Sequence, residues 1–251
     1  MLHAELSKTF ESAPSLPHEL AAAIRNNVVA ASMIELKRGD NVYMAGEGGQ
    51  HVYFVHSGQI KLHVAAPDGR CCTLAVLGEN DVFGECCLST PMRAESATAM
   101  QHSTATRIPV RALIAGTNGT AHLLQPLLRH LAQRVYEQQA VIANLLIDQS
   151  EQRLAKVLLG IARAHGLTTA TGTKLSLRLS HQDLAEMVGT TRPRVSEFMD
   201  RFRRAGYTHL DSEHHLFVRV QALEAYVRDI GAGKEHRHVA PSWSDRPAEL
   251  W

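Results

Sequence analysis

Seven positions between Leu124 and Leu145 constrain this chain more than any other feature. Leu124, Leu128, Leu131, Val135, Gln138, Ile142 and Leu145 follow one another at alternating intervals of four and three. That rhythm places them along one stripe of an α-helix about six turns long. A strand would scatter the same residues over both faces. A stripe so narrow and sustained is the seam of a coiled coil, so Leu124, Leu128, Leu131, Val135, Ile142 and Leu145 are expected to pair two copies as a homodimer. The alternative is one amphipathic helix packed on its own domain. Gln138 is the polar seam position, suited to fixing register or touching a ligand. Pro126 is placed in the helix's first turn, where a missing N–H does no harm.

Upstream of the seam the texture is different. Leu16 to Asn26 reads as a short helix, and Met33 to Pro109 as short β-rich runs. The clearest strands are Val52 to Val55, Ile60 to Val64 and Thr73 to Leu77, punctuated by Gly39-Asp40, Gly48-Gly49, Ser57-Gly58, Asp68-Gly69 and Gly78. Many short strands at close spacing predict a closed or double-sheet domain, a jelly roll. Downstream, Glu151 to Ala164 reads as a helix with Leu154, Val157, Leu158 and Ile161 on one face. Gly166 to Gly172 is expected to be a loop and Leu175 to Leu179 a short strand. The expected domains are therefore residues 1–120, a helix over 121–148, a C-terminal domain over 149–230, and a flexible tail over 231–251.

The stretch from Leu179 to Phe202 carries the most chemistry. Ser180 and Asp183 form a capping-box-like start, and Leu184, Met187 and Val188 make the inner face of a short helix. Gly189 permits a tight turn. Thr191 is placed to cap a second helix, with Pro193 in its first turn. Val195, Phe198, Met199 and Phe202 then face inward, leaving Arg192, Arg194, Ser196 and Glu197 outward where a recognition helix meets base edges. An ordinary helical hairpin would share this pattern. The segment after it favours the DNA-binding reading: Gly206 to Leu210 and His215 to Val218, joined by Asp211 to His214, make a hairpin placed as a wing.

Composition narrows the function classes. The chain has 251 residues and a formal net charge of +1, so overall charge does not announce a nucleic-acid partner. Between Ser150 and Ala205, however, Lys and Arg exceed Asp and Glu by roughly five, enough to meet a phosphate backbone. The residues from Met1 to Pro14 contain no apolar signal-peptide core, and no run is long enough to span a bilayer, so a cytoplasmic protein without membrane contact is expected. Cys71-Cys72 and Cys86-Cys87 are adjacent pairs that make poor metal clamps; reduced, packed thiols are the first reading and a thiol switch the second. No His spacing suggests a metal site. No catalytic motif appears, so no catalytic residue and no enzyme is expected.

From Ser150-Glu151-Gln152-Arg153-Leu154-Ala155 through Leu184 to Arg192 and on to Phe217, the chain resembles the DNA-binding half of the CRP/FNR superfamily, in a branch whose recognition helix opens Gly-Thr-Thr-Arg. Gly58-Gln59-Ile60-Lys61-Leu62 and Asp81-Val82-Phe83-Gly84-Glu85 resemble its front half. The resemblance implies an α+β architecture: a cyclic-nucleotide-binding-like β jelly roll, a long dimerisation helix, and a winged helix-turn-helix. It also implies regulation of transcription, with a near-palindromic double-stranded operator and RNA polymerase as partners. Ser180, Gln182, Thr190, Thr191, Arg192, Arg194, Ser196, Glu197 and Arg201 are the implied DNA-contacting residues. Gly84, Glu85, Cys86, Arg93 and Ala94 match a phosphate cassette, with Gln138 and Gln139 where relatives touch the base. The implied effector is a cyclic nucleotide or another small molecule. The spacing from Glu85 to Arg93 is shorter than in cAMP-binding relatives, and Glu95 adds a negative charge. The other readings are that Glu85 caps a turn and Arg93 pairs with Glu95, in a regulator without effector, or that the chain is a non-DNA-binding sensor or scaffold.

Overall fold

The computed structural model describes residues 15–27, 29–119 and 121–231. The expectations for Met1 to Pro14 and for residues 232–251 of the tail lie outside these. The chain forms two compact units: the first takes the described residues up to Val141 except Cys71–Thr73, and the second takes those three with the residues from Ile142 onward.

In the first unit, α1 (Leu16–Arg25) precedes eight strands: β1 (Ser32–Leu36), β2 (Asn41–Tyr43), β3 (His51–Ser57), β4 (Ile60–Ala65), β5 (Cys71–Leu77), β6 (Val82–Phe83), β7 (Ser96–Ala99) and β8 (Ser103–Pro109). They build two four-stranded sheets, ordered β1-β8-β3-β6 and β2-β7-β4-β5, the double-sheet domain expected. Strand β3 shows why its sequence lacks polar alternation. Val52 and Phe54 enter one core cluster with Leu16, Leu20, Leu113, Leu123 and Leu127. Tyr53 and Val55 enter another with Tyr43, Ile60, Leu62 and Phe83. Successive side chains point to opposite faces, and here both faces are covered. The hairpin turn after β3 needs Gly58, whose φ is +91° and where a Cβ would lie 2.6 Å from the His102 carbonyl oxygen.

Two helices close the unit: α2 (Val110–Gly119), which the sequence reading did not foresee, and α3 (Ala121–Ile147). Leu123 and Leu127 of α3 are buried in the barrel's outer core. Burying two leucines contributes roughly 3–6 kcal/mol as an upper bound, fastening the start of the long helix to its own barrel. One face of α3 therefore packs on its own domain, and a different one carries most of the seam positions. Leu124, Leu128, Val135, Ile142 and Leu145 are about half exposed. Leu131 departs from the seam expectation, because it packs against the barrel core. Pro126 also differs: the helix begins at Ala121, so the proline stands in its interior, where one backbone hydrogen bond is lost.

The second unit contains α4 (Ser150–His165), β9 (Gly166–Thr169), β10 (Gly172–Leu175), α5 (His181–Val188), α6 (Arg192–Arg204), β11 (Thr208–Leu210), β12 (Leu216–Val218) and α7 (Val220–Gly231). Its sheet runs β11-β12-β10-β9. The stretch expected to be a loop is a hairpin: Thr168, Thr169 and Thr173 are β-branched, and β10 gains a partner on each side, β9 and β12. The expected strand over Leu175–Leu179 is corrected accordingly, since pairing ends at Leu175. Leu154, Leu158, Leu184, Val188, Val195, Phe198 and Phe202 form the helical core. Phe202, Tyr207 and Tyr226 of α7 pack ring on ring at 5.3–6.1 Å between centroids.

Candidate functional site

The cassette begins where β6 ends. Gly84 adopts φ +80° and leads into a 3-10 turn, Glu85–Leu88. Glu85 is buried, and Arg134 of α3 donates to it from Nε at 3.1 Å, with His130 Nε2 3.9 Å away. The carboxylate is therefore paired to the long helix rather than capping a turn. Arg93 is also buried. Its two terminal nitrogens donate to Gly84 O (2.8 Å) and His51 O (2.6 Å), and its guanidinium lies 4.0 Å over the Tyr43 ring. The surface pair of Arg93 with Glu95 is not what forms: Glu95 is buried and accepts from the Tyr43 hydroxyl at 2.9 Å. Burial, then the Glu95 charge, push that hydroxyl far above its usual range, so it remains a donor.

The remaining expected effector residues are dispersed. Ala94, Gln138 and Gln139 are exposed, the glutamines on the open face of α3. Cys86 is exposed and Cys87 half-buried, and burial raises both thiols above their ordinary value. Thiolate is thereby disfavoured, which weakens the thiol-switch reading. His130, absent from the sequence expectations, is held toward its neutral form by burial, with Glu85 opposing. His130 and Arg134 stand four apart on α3, but nothing in the sequence says that this face meets the cassette.

The DNA-reading elements form as a unit. Ser180 Oγ accepts from Asp183 N (3.1 Å), and Asp183 Oδ2 accepts from Ser180 N (3.0 Å), the reciprocal cap of α5. Gly189 at φ +70° ends it. Thr191 stands at the N-cap of α6 without a side-chain cap bond, a correction to its expected role. Arg192, Arg194 and Glu197 are exposed on the first turns of α6; among the described residues neither arginine is drawn into an ion pair, though Arg194 lies 5.7 Å over Phe198. Two expected contacts are committed elsewhere. Arg201 is paired with Glu151 at 2.7 Å, and Ser196 is half-buried, bonding Arg192 O (3.1 Å) and His181 Nδ1 (2.8 Å). Gln182 is exposed and donates to Glu186, and Thr190 N donates to Ala185 O at 3.0 Å.

Arg153 is the residue whose role the sequence did not reveal. Its guanidinium donates to Asp148 O (2.7 Å), where α3 meets α4, and to Val188 O (2.8 Å), at the end of α5. In the wing, Asp211 Oδ1 accepts from Glu213 N and His215 N at 2.9 and 2.8 Å, locking the turn. Side-chain ligand atoms of Asp211, Glu213 and His215 lie within 4.8 Å of one another, a cluster that spacing alone did not suggest.

The model of the cyclic nucleotide-binding domain matches residues 33–115, and that of the Crp-like helix-turn-helix domain matches residues 152–226. The chain belongs to the CRP/FNR superfamily. It is a DNA-binding transcription regulator with a sensor-type barrel ahead of a winged helix-turn-helix. The CRP-like cAMP-activated global transcriptional regulator of Mycobacterium tuberculosis is 29% identical over 196 residues, covering 78% of this chain and 88% of that one. The global nitrogen regulator of Synechococcus elongatus is 28% identical over 174 residues, covering 68% and 78%. Among solved structures, FixK2 of Bradyrhizobium japonicum aligns with a TM-score of 0.71 at 21% identity, covering 78% of this chain and 97% of that one. No helix among the described residues is long and apolar enough to cross a membrane.

Proposed function

We propose that this CRP/FNR-type regulator acts as a homodimer. The exposed stripe of α3, from Leu124 through Leu128, Val135 and Ile142 to Leu145, would pair with its copy, and Tyr136, Val141, Leu146 and Ile147 extend the exposed apolar surface around it. Two recognition helices then reach half-sites about 34 Å apart on a near-palindrome. Thr191, Arg192, Arg194 and Glu197 meet the major groove, with Arg194 on a guanine and Glu197 accepting from a cytosine amino group. Ser196 and Arg201 act behind them, holding α6 in place. RNA polymerase is the partner through which such a complex acts. The observation that carries this reading is the pair of exposed, uncommitted arginines at the start of α6. Selection of sites from random DNA tests it: a two-fold symmetric motif is expected, and absence of any enriched motif with a folded dimer would reject it.

The sensor half of the proposal is a small effector in the barrel, with a cyclic nucleotide supported by Gly84, Glu85 and Arg93. Such a ligand must draw Glu85 from Arg134 and Arg93 from two carbonyl oxygens. Calorimetry with cyclic mono- and dinucleotides tests it, and no heat from either would reject the nucleotide.

A further inference from the structure

The first unit also holds a cleft of ≈540 Å³ beside the Glu85–Leu88 turn, walled by Gly49, Gln50, His51, Ser89, Thr90 and Arg111 together with apolar residues and Cys87; neither Glu85 nor Arg134 is among its lining residues. Its size suits a metabolite. The walls are tied to one another: Gly49 N donates to Pro91 O (2.7 Å), Val110 N to Gln50 O (2.9 Å), and Cys87 Sγ to His51 O (3.5 Å). No carboxylate is among the lining residues.

Two further observations give the cleft a sign. Directly behind Gly49 lies the buried Arg93, whose Nε has no hydrogen-bond partner; a Cβ on Gly49 would stand 2.9 Å from it. A guanidinium without a carboxylate partner in a buried setting favours an anion nearby. Second, the imidazole of His51 is held below its ordinary pKa by burial and then by Arg107, Arg93 and Arg111, so the charged groups that act on it are all cationic. Donors are also at hand. Thr90 Oγ1 accepts from Met92 N at 3.4 Å, leaving its O–H to donate, and Arg111 is exposed at the start of α2.

We propose that this cleft binds a small metabolite anion bearing a carboxylate or a phosphate, gripped by Arg111, His51 and Thr90, at a site separate from the Glu85–Arg134 cassette. The glycine at position 49 keeps the wall thin enough for the Arg93 charge to be felt at the ligand. The site does not rest on the DNA-binding reading, since it can be assayed without DNA.

The test uses the full-length protein with glutarate and glycerol 3-phosphate as separate probes, the first reporting carboxylate and the second phosphate binding. Calorimetry should find one probe bound per protomer, weakened about tenfold to a hundredfold by Arg111→Ala, the range for losing a hydrogen bond to a charged group. Proton NMR should show the His51 imidazole titrating at higher pH when the probe is bound, because an adjacent anion favours its charged form. That readout would not move if Arg111 merely supported the fold. Equal affinity in wild type and Arg111→Ala, an unmoved His51 titration, or no heat from either probe at millimolar concentration would overturn the proposal. Probe binding that is unchanged by Arg111→Ala but competed away by a cyclic nucleotide would assign the anion to the cassette and overturn it equally.

Discussion

Replacing Arg153 by methionine keeps the aliphatic stem and removes the guanidinium that bonds Asp148 O at 2.7 Å and Val188 O at 2.8 Å, with Gly189 O at 3.5 Å. Those carbonyls belong to the α3–α4 junction and to the end of α5, and the last carbonyls of a helix have no partner within it. Each hydrogen bond to a charged group is worth about 1.5–3 kcal/mol. The site is only partly buried, so water replaces some of this, and the expected loss is about 2–3 kcal/mol. For a unit of this size that corresponds to a fall of roughly 10–20 °C in its unfolding temperature. Amide exchange gives the local readout: protection of Thr190, whose N–H bonds Ala185 O in the same turn, should fall before protection in the barrel. Arg153→Lys should recover less than half, because the ammonium is a single compact donor centre, whereas the planar guanidinium reaches Val188 O through Nε and Asp148 O through a terminal nitrogen. A change below about 0.5 kcal/mol in Arg153→Met, the range of an unconnected surface substitution, would refute the reasoning.

Leu128→Glu combined with Ile142→Glu should give a monomer by light scattering with DNA affinity reduced by a hundredfold or more, about 2.7 kcal/mol; a dimer that persists would exclude the seam. Leu128 is a cleaner probe than Leu131, which is partly buried in its own barrel. Arg194→Ala should relax preference at one symmetric operator position, with about 1–3 kcal/mol less discrimination there; an unchanged motif would remove Arg194 from base reading. Burial holds His130 neutral in the folded state, while in the unfolded chain it gains a proton near pH 6.5. The unfolded state thus binds more protons as pH falls, so stability should drop below about pH 6.5, and His130→Gln should flatten that slope in urea titrations. His51, depressed in the same direction, leaves a residual slope. Equal slopes in the two proteins would contradict this.

What the sequence revealed depended on how local the causes were. The 4–3 stripe on α3, the cap at Ser180 and the left-handed Gly189 are set by neighbours within a turn, and all could be read directly. The β9–β10 hairpin was missed because its partner, β12, lies more than forty residues away, and nothing between Gly166 and Gly172 reports it. The cassette was legible as residue types at Gly84, Glu85 and Arg93. Its pairing was not, because Arg134 reaches Glu85 across 49 positions. Likewise the positive charges of α6 could be counted, but not that Arg201 is bound to Glu151 while Arg192 and Arg194, at the start of the helix, stay exposed and outside any ion pair among the described residues. Long-range contacts decide which of several equivalent side chains remain available.

The outer core of the barrel gathers Leu16 and Leu20 from the beginning of the described chain and Leu123 and Leu127 from the start of α3. During synthesis, therefore, this core is still incomplete when the last strand of the barrel emerges at Pro109. Its last members, Leu113, Leu123 and Leu127, follow only as the two helices are made, so Val52 and Phe54 of β3 are less covered in the meantime. A nascent chain stalled between these points presents an open apolar sheet to chaperones. A sensor fragment cut after β8 would carry that same surface permanently, whereas one ending beyond Arg134 would retain both the lid of the core and the partner of Glu85.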